Sequence, residues 1–183
     1  MKILAFFANG CEEIEGLTVV DLARRAGIET EMVSINETTT VEGSHKIKFT
    51  TDTTIVDVDF ESGDMIFLPG GLPGTNNLYN CEVLTDKIKE YFEKGKRLAA
   101  VCAAPSVFGR LGLLKGRKAV CYPGFEDELK GAIVLQVPVV TDGNITTSRG
   151  MGTTIELGLE IIRLFKGETA AEEMAQKIVY SKN

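Results

Sequence analysis

Tryptophan is absent from this chain of 183 residues, histidine occurs once, proline five times, and aromatic residues make up 7% of it. With His45 as the sole imidazole, a Cys-His pair has little to draw on, because His45 lies far in sequence from Cys102. The four cysteines, at 11, 81, 102 and 121, contain no Cys-x-x-Cys pair and no zinc-ligand spacing, so reduced thiols and no metal are expected. No apolar run is long enough to span a membrane, and no secretory leader precedes the first strand. A cytoplasmic protein is the expectation. Basic clusters are missing as well: 20 Lys and Arg against 26 Asp and Glu give a net charge of −6, which argues against nucleic-acid or membrane-surface partners. Without a linker, internal repeat or low-complexity tract to divide it, the chain is expected to form one domain over residues 1–183.

What the chain does have is alternation. Short apolar runs at Ile3 to Ala8, Met32 to Ile35, Met65 to Leu68, Leu98 to Val101 and Ala119 to Cys121 read as strands. Between and after them, helical patterns cover Glu12 to Ala26, Glu82 to Lys94, Pro105 to Leu111, Thr153 to Phe165 and Ala170 to Val179. Such a chain predicts an α/β fold with a mostly parallel sheet covered on both faces. The Thr-rich stretch from Thr38 to Ile55, with Gly43 and Ser44 inside it, predicts an added hairpin on the edge or flank of the sheet. In parallel sheets ligands bind beyond the carboxyl ends of the strands.

Two residues stand at such ends. Cys102 closes the run Leu98-Ala99-Ala100-Val101 and precedes Ala103-Ala104-Pro105, which predicts a sharp strand-to-helix turn. Unpaired N–H groups and the positive end of a helix dipole would favour its thiolate and supply donors for an oxyanion. An inert buried thiol is the competing reading. Glu15 shares a helical stripe with Val19, Leu22 and Ala26, whereas Glu13 is expected to point away from that stripe and Glu12 to sit in the water-accessible first turn. Burial would raise the Glu15 carboxyl and let it exchange a proton with a neighbouring thiol.

Other motifs carry less. Pro69-Gly70-Gly71-Leu72-Pro73-Gly74 matches neither the P-loop nor the dinucleotide fingerprint, and is expected to let backbone N–H groups approach a small ligand. Arg149, in Ser148-Arg149-Gly150, falls on the same strand-end face as Cys102, where it could bind an anion or hold structural contacts.

Four segments in order, Glu12-Glu13-Ile14-Glu15, Leu68-Pro69-Gly70-Gly71, Ala99-Ala100-Val101-Cys102-Ala103-Ala104-Pro105 and Thr147-Ser148-Arg149-Gly150, resemble the ThiJ/PfpI superfamily and its Parkinson-disease-linked deglycase subgroup. The resemblance covers essentially the whole chain. It implies a flavodoxin-like three-layer sandwich, a homodimer, a reactive and easily oxidised Cys102, and a protonated Glu15 bonded to that sulfur. It further implies Gly71 and Ala103 as backbone oxyanion donors, and places Arg25 and Arg149 near the site or the dimer interface. Two departures matter: Ala103 stands where protease-like relatives carry a histidine, and Tyr122 stands where some close relatives carry one. Peptidase chemistry is therefore not expected, and proton transfer falls to Glu15, Tyr122 or water. The activity implied is a cofactor-independent glyoxalase or deglycase acting on methylglyoxal-type α-oxoaldehydes or their early adducts. The alternative is a redox sensor or oxidative-stress chaperone using Cys102, with Cys11 as a resolving thiol. An older association with thiamine-thiazole biosynthesis finds no support in these residues.

Overall fold

The computed structural model describes residues 1–181. Along the first half run β1 (Lys2–Phe7), α1 (Glu13–Arg25), β2 (Glu29–Ser34), β3 (Thr40–Glu42), β4 (Lys48–Thr50), β5 (Thr53–Thr54), β6 (Met65–Leu68), α2 (Gly74–Asn80) and α3 (Glu82–Glu93). The second half holds β7 (Arg97–Val101), α4 (Pro105–Arg110), β8 (Lys118–Ala119), β9 (Ile133–Val134), β10 (Val139–Asp142), β11 (Ile145–Ser148), α5 (Thr154–Lys166) and α6 (Glu168–Lys177).

Seven strands form the main sheet in the order β10-β11-β7-β6-β1-β2-β5. All neighbours pair in parallel except β10 with β11. β1 shows why the sheet needs cover on both sides: Ile3, Ala5 and Phe7 pack into one apolar cluster, Leu4, Phe6 and Ala8 into another. The first cluster is completed by Val19 and Leu22 of α1, Leu157 and Ile161 of α5, and Met174 of α6. The second takes Leu78 of α2, Leu84, Ile88 and Tyr91 of α3, and Val107 and Phe108 of α4. This is the expected flavodoxin-like three-layer sandwich.

Two expectations, on the run Ala119 to Cys121 and on Glu13, need correction. The run Ala119 to Cys121 does not enter the main sheet. Only Lys118–Ala119 pairs, with Ile133–Val134, in a separate two-stranded ladder, because the N–H of Val120 is taken by the hydroxyl of Thr147 at 2.9 Å. The Thr-rich stretch supplies the expected hairpin, β3 with β4, antiparallel and outside the main sheet, and beyond it β5 becomes the edge strand of that sheet beside β2. Glu13 is 3% exposed, as buried as Glu15 at 1%, although it faces away from the apolar stripe. The hairpin covers it, and its carboxylate accepts N–H groups from His45 at 3.0 Å and Ile47 at 3.4 Å. These bonds hold its carboxyl below the usual range despite burial.

Candidate active site

β7 ends at Val101 and α4 begins at Pro105, and the turn between them places Cys102 at φ +63°. A left-handed conformation costs a non-glycine residue about 1–2 kcal/mol, so neighbouring structure must hold it there. Both backbone groups are engaged: the Cys102 N–H donates to the Ser148 carbonyl at the end of β11 (3.0 Å), and its carbonyl accepts the Tyr122 N–H (2.8 Å). The thiol is half-buried and all four cysteines are free.

Glu15, in the first turn of α1, faces this sulfur. Its Oε2 accepts the Gly70 N–H at 2.9 Å. Burial is the dominant influence and pushes the Glu15 carboxyl up to about 7, assisted by the nearby charge of Glu12 and opposed by the Cys102 side chain and the Gly70 N–H. Cys102 is pushed up to about 12, first by burial and then by the Glu15 carboxylate. The N–H groups of Ala103 and Gly71 donate toward the sulfur and pull the other way. The expectation that a helix end alone would favour the thiolate is thus incomplete. α4 starts three residues later and is short, whereas the carboxylate is in contact. With Cys102 raised to about 12 and Glu15 to about 7, the sulfur holds its proton more tightly than the carboxyl does, and the two neighbouring groups titrate as one pair.

The glycine loop makes this proximity possible. A Cβ on Gly70 would lie 2.7 Å from the Cys102 Cβ and 2.7 Å from Glu15 Oε2. Gly71 has φ +87°, and a side chain there would strike the backbone of Cys11 and Glu12. The structure therefore brings Cys102, Glu15, Gly70, Gly71 and Ala103 together. Tyr122 and Arg149 line a neighbouring cleft of about 450 Å³ with Met151 and Gly150, connected to Cys102 through the backbone bonds of Tyr122 and Ser148. Cys11 is fully buried in the cluster against which Cys102 packs, and burial pushes its thiol up to about 12. Arg25 is not at this site. It lies ten residues beyond Glu15, roughly 15 Å along α1, and pairs with Asp21 at 2.5 Å.

Sequence reasoning misses two positions. The Ser148 carbonyl, which holds the Cys102 turn, is hidden because β11 reads as polar: Thr146, Thr147 and Ser148 are buried yet carry hydroxyls. Glu13 reads as a surface residue because a helical stripe cannot anticipate a covering hairpin. Among the described residues, one trio of metal-capable side chains stands close together, Glu12, Glu13 and His45, with ligand atoms within 4.8 Å of one another. Its most buried member, Glu13, is already engaged by the hairpin N–H groups. No helix among the described residues is long and apolar enough to cross a membrane.

A doubly covered sheet with a cysteine on a strained strand-to-helix turn, facing a buried glutamate, defines a flavodoxin-like protein with a thiol-carboxyl site. The sequence model of the DJ-1/PfpI family matches residues 1–164, and the chain belongs to that family. It is 32% identical to protein dj-1beta of Drosophila melanogaster over 98% of this chain and 97% of that one. Identity to protein DJ-1 homolog B of Arabidopsis thaliana is 38%, over 100% of this chain and 42% of the relative. The chain thus spans about half the length of the Arabidopsis relatives it matches. Among solved structures, oxidized DJ-1 of Toxoplasma gondii superposes with a TM-score of 0.95 at 34% identity, covering 99% of each chain.

Proposed function

We propose that this chain is a cysteine-dependent glyoxalase or deglycase acting on methylglyoxal-type α-oxoaldehydes or their early adducts. The observation that carries the reading is the juxtaposition, across the Gly70 backbone, of a glutamate 1% exposed and a cysteine held at φ +63°, a Cβ on Gly70 lying 2.7 Å from both Glu15 Oε2 and the Cys102 Cβ. Backbone strain and perturbed carboxyl groups of this kind concentrate at functional sites. The Glu15 carboxylate takes the Cys102 thiol proton as the sulfur adds to the aldehyde carbon, and gives that proton to the resulting alkoxide to form a hemithioacetal. The Glu15 carboxylate then removes the C1 proton and returns it to C2, converting the adduct to a thioester. Water cleaves the thioester, releasing lactate and the thiol. The sum is methylglyoxal plus water giving lactate. Through the steps in which oxygen carries charge, the Gly71 and Ala103 N–H groups are the available donors.

The test counts lactate formed per subunit by wild type, Cys102→Ser and Glu15→Gln under excess methylglyoxal. Many turnovers lost in both variants are expected. Full activity in Cys102→Ser, or no turnover by folded wild type, would sink the reading. The homodimer belongs to the same proposal, supported by exposed Ile14, Ile47 and Ile155 around an apolar cleft on α1. Light scattering on the same wild-type sample showing a single-chain mass would remove it.

A second reading, a redox sensor or oxidative-stress chaperone, is favoured by the likeness to the Toxoplasma gondii DJ-1, whose solved structure is that of an oxidized protein. A protonated Glu15 could donate equally to a sulfenate or sulfinate on Cys102. Such a protein reacts once per thiol, so the turnover count separates the two.

A further inference from the structure

Arginines in this acidic chain are nearly all paired. Five of the seven hold a carboxylate within 4.0 Å: Arg24, Arg25, Arg110, Arg117 and Arg163. Arg97 lies in the field of Glu160. Arg149 differs. Among the described residues no carboxylate comes within 4.0 Å of it and its guanidinium makes no hydrogen bond, although it is half-buried in a protein of net charge −6. Its backbone is fixed by a 3.1 Å bond from its N–H to the Pro138 carbonyl.

Its position adds the second element. Arg149 follows Ser148, whose carbonyl binds the Cys102 N–H, and it lines the same cleft as Tyr122, whose N–H binds the Cys102 carbonyl. The walls of that cleft suit a short carbon chain. The half-exposed Tyr122 ring lies over Gly150, where a Cβ would come to 3.4 Å from Cδ2, and Met151 is 53% exposed. A guanidinium without a partner at the rim of an uncharged cleft, one residue from the contact that holds the thiol, is a receptor for an anionic oxygen group.

We infer that Arg149, with Tyr122 and Met151, forms an anion subsite beside Cys102, selecting substrates whose aldehyde is joined by a short chain to a carboxylate or phosphate. The inference rests on the proposed reaction for the role of the aldehyde. Its test does not need turnover.

Iodoacetate and iodoacetamide differ in one anionic group and alkylate the same sulfur, so the ratio of their rates at Cys102, located by peptide mass mapping, reports the subsite and cancels the thiolate fraction. Arg149→Gln should lower the iodoacetate-to-iodoacetamide ratio about fivefold, as a partly exposed charge contact allows, and Arg149→Lys should retain part of it. In the wild type, sodium sulfate should lower the ratio relative to sodium chloride at matched ionic strength, a check that stands if the variant fails to fold. A ratio unchanged in folded Arg149→Gln, or insensitive to sulfate in the wild type, overturns the subsite. Absence of lactate formation with the ratio effects intact sinks the catalytic proposal and leaves the subsite in place.

Discussion

The backbone N–H of Gly70 donates to Oε2 of Glu15 at 2.9 Å, joining two residues fifty-five positions apart in sequence. Gly70 is also the residue over which Glu15 reaches Cys102, since a Cβ there would lie 2.7 Å from both Oε2 and the cysteine Cβ. One glycine thus sets the spacing of the pair and supplies one of its hydrogen bonds.

Gly70→Ala should therefore separate the pair and strain its surroundings. Overpacking of this kind costs about 1–3 kcal/mol, read by urea unfolding, and the alkylation rate of Cys102 should change with it. Gly152→Ala is the control, because a Cβ there meets nothing within 4 Å. Equal stability of the two variants would refute the spacing argument.

Glu15 makes stability depend on pH. Its carboxyl is raised to about 7 from the 4.5 of a free glutamate. Between those limits the folded chain holds a proton that the unfolded chain has released. This contribution is complete below about 4.5, declines as pH rises through the interval and is gone above about 7. At about 1.4 kcal/mol per pH unit, the full change is on the order of 3 kcal/mol. Urea unfolding at several pH values should show the wild type losing stability relative to Glu15→Gln from pH 5 to 7. A difference between the two proteins that stays constant with pH would contradict the assignment.

Glu13 anchors the hairpin. Glu13→Ala removes the carboxylate that accepts the N–H groups of His45 and Ile47, at a net cost of about 1.5–3 kcal/mol per hydrogen bond to a charged group at most. Amide hydrogen exchange should speed up across residues 43–50 with the central sheet unchanged. Unaltered protection there would mean that the hairpin is held by Val41 and by the edge contact of Phe49 with Phe7, 5.2 Å between ring centroids.

Periodicity and punctuation in the chain are sufficient for the sandwich, the turn at Cys102 and the helix carrying Glu15, because each depends on residues within one or two turns of one another. Even the burial of Glu15 follows from its stripe with Val19 and Leu22. The hidden parts depend on partners distant in sequence. Thr146, Thr147 and Ser148 form a buried strand between β7 and β10, and the N–H of Val120 goes to the Thr147 hydroxyl rather than to a strand ladder. Glu13 is buried by a hairpin whose loop lies some thirty residues on. Local sequence determined the fold class and the positions of Cys102 and Glu15 beyond strand ends, since strand and helix patterns are short-range properties of the chain. Only the tertiary structure decided which backbone carbonyl holds the thiol in its turn, how burial and contact couple the thiol to the carboxyl, and which arginines, among the described residues, lack a carboxylate within 4.0 Å. Hydrogen bonding, desolvation and charge pairing are settled by what packs against a group, and periodicity carries no record of that.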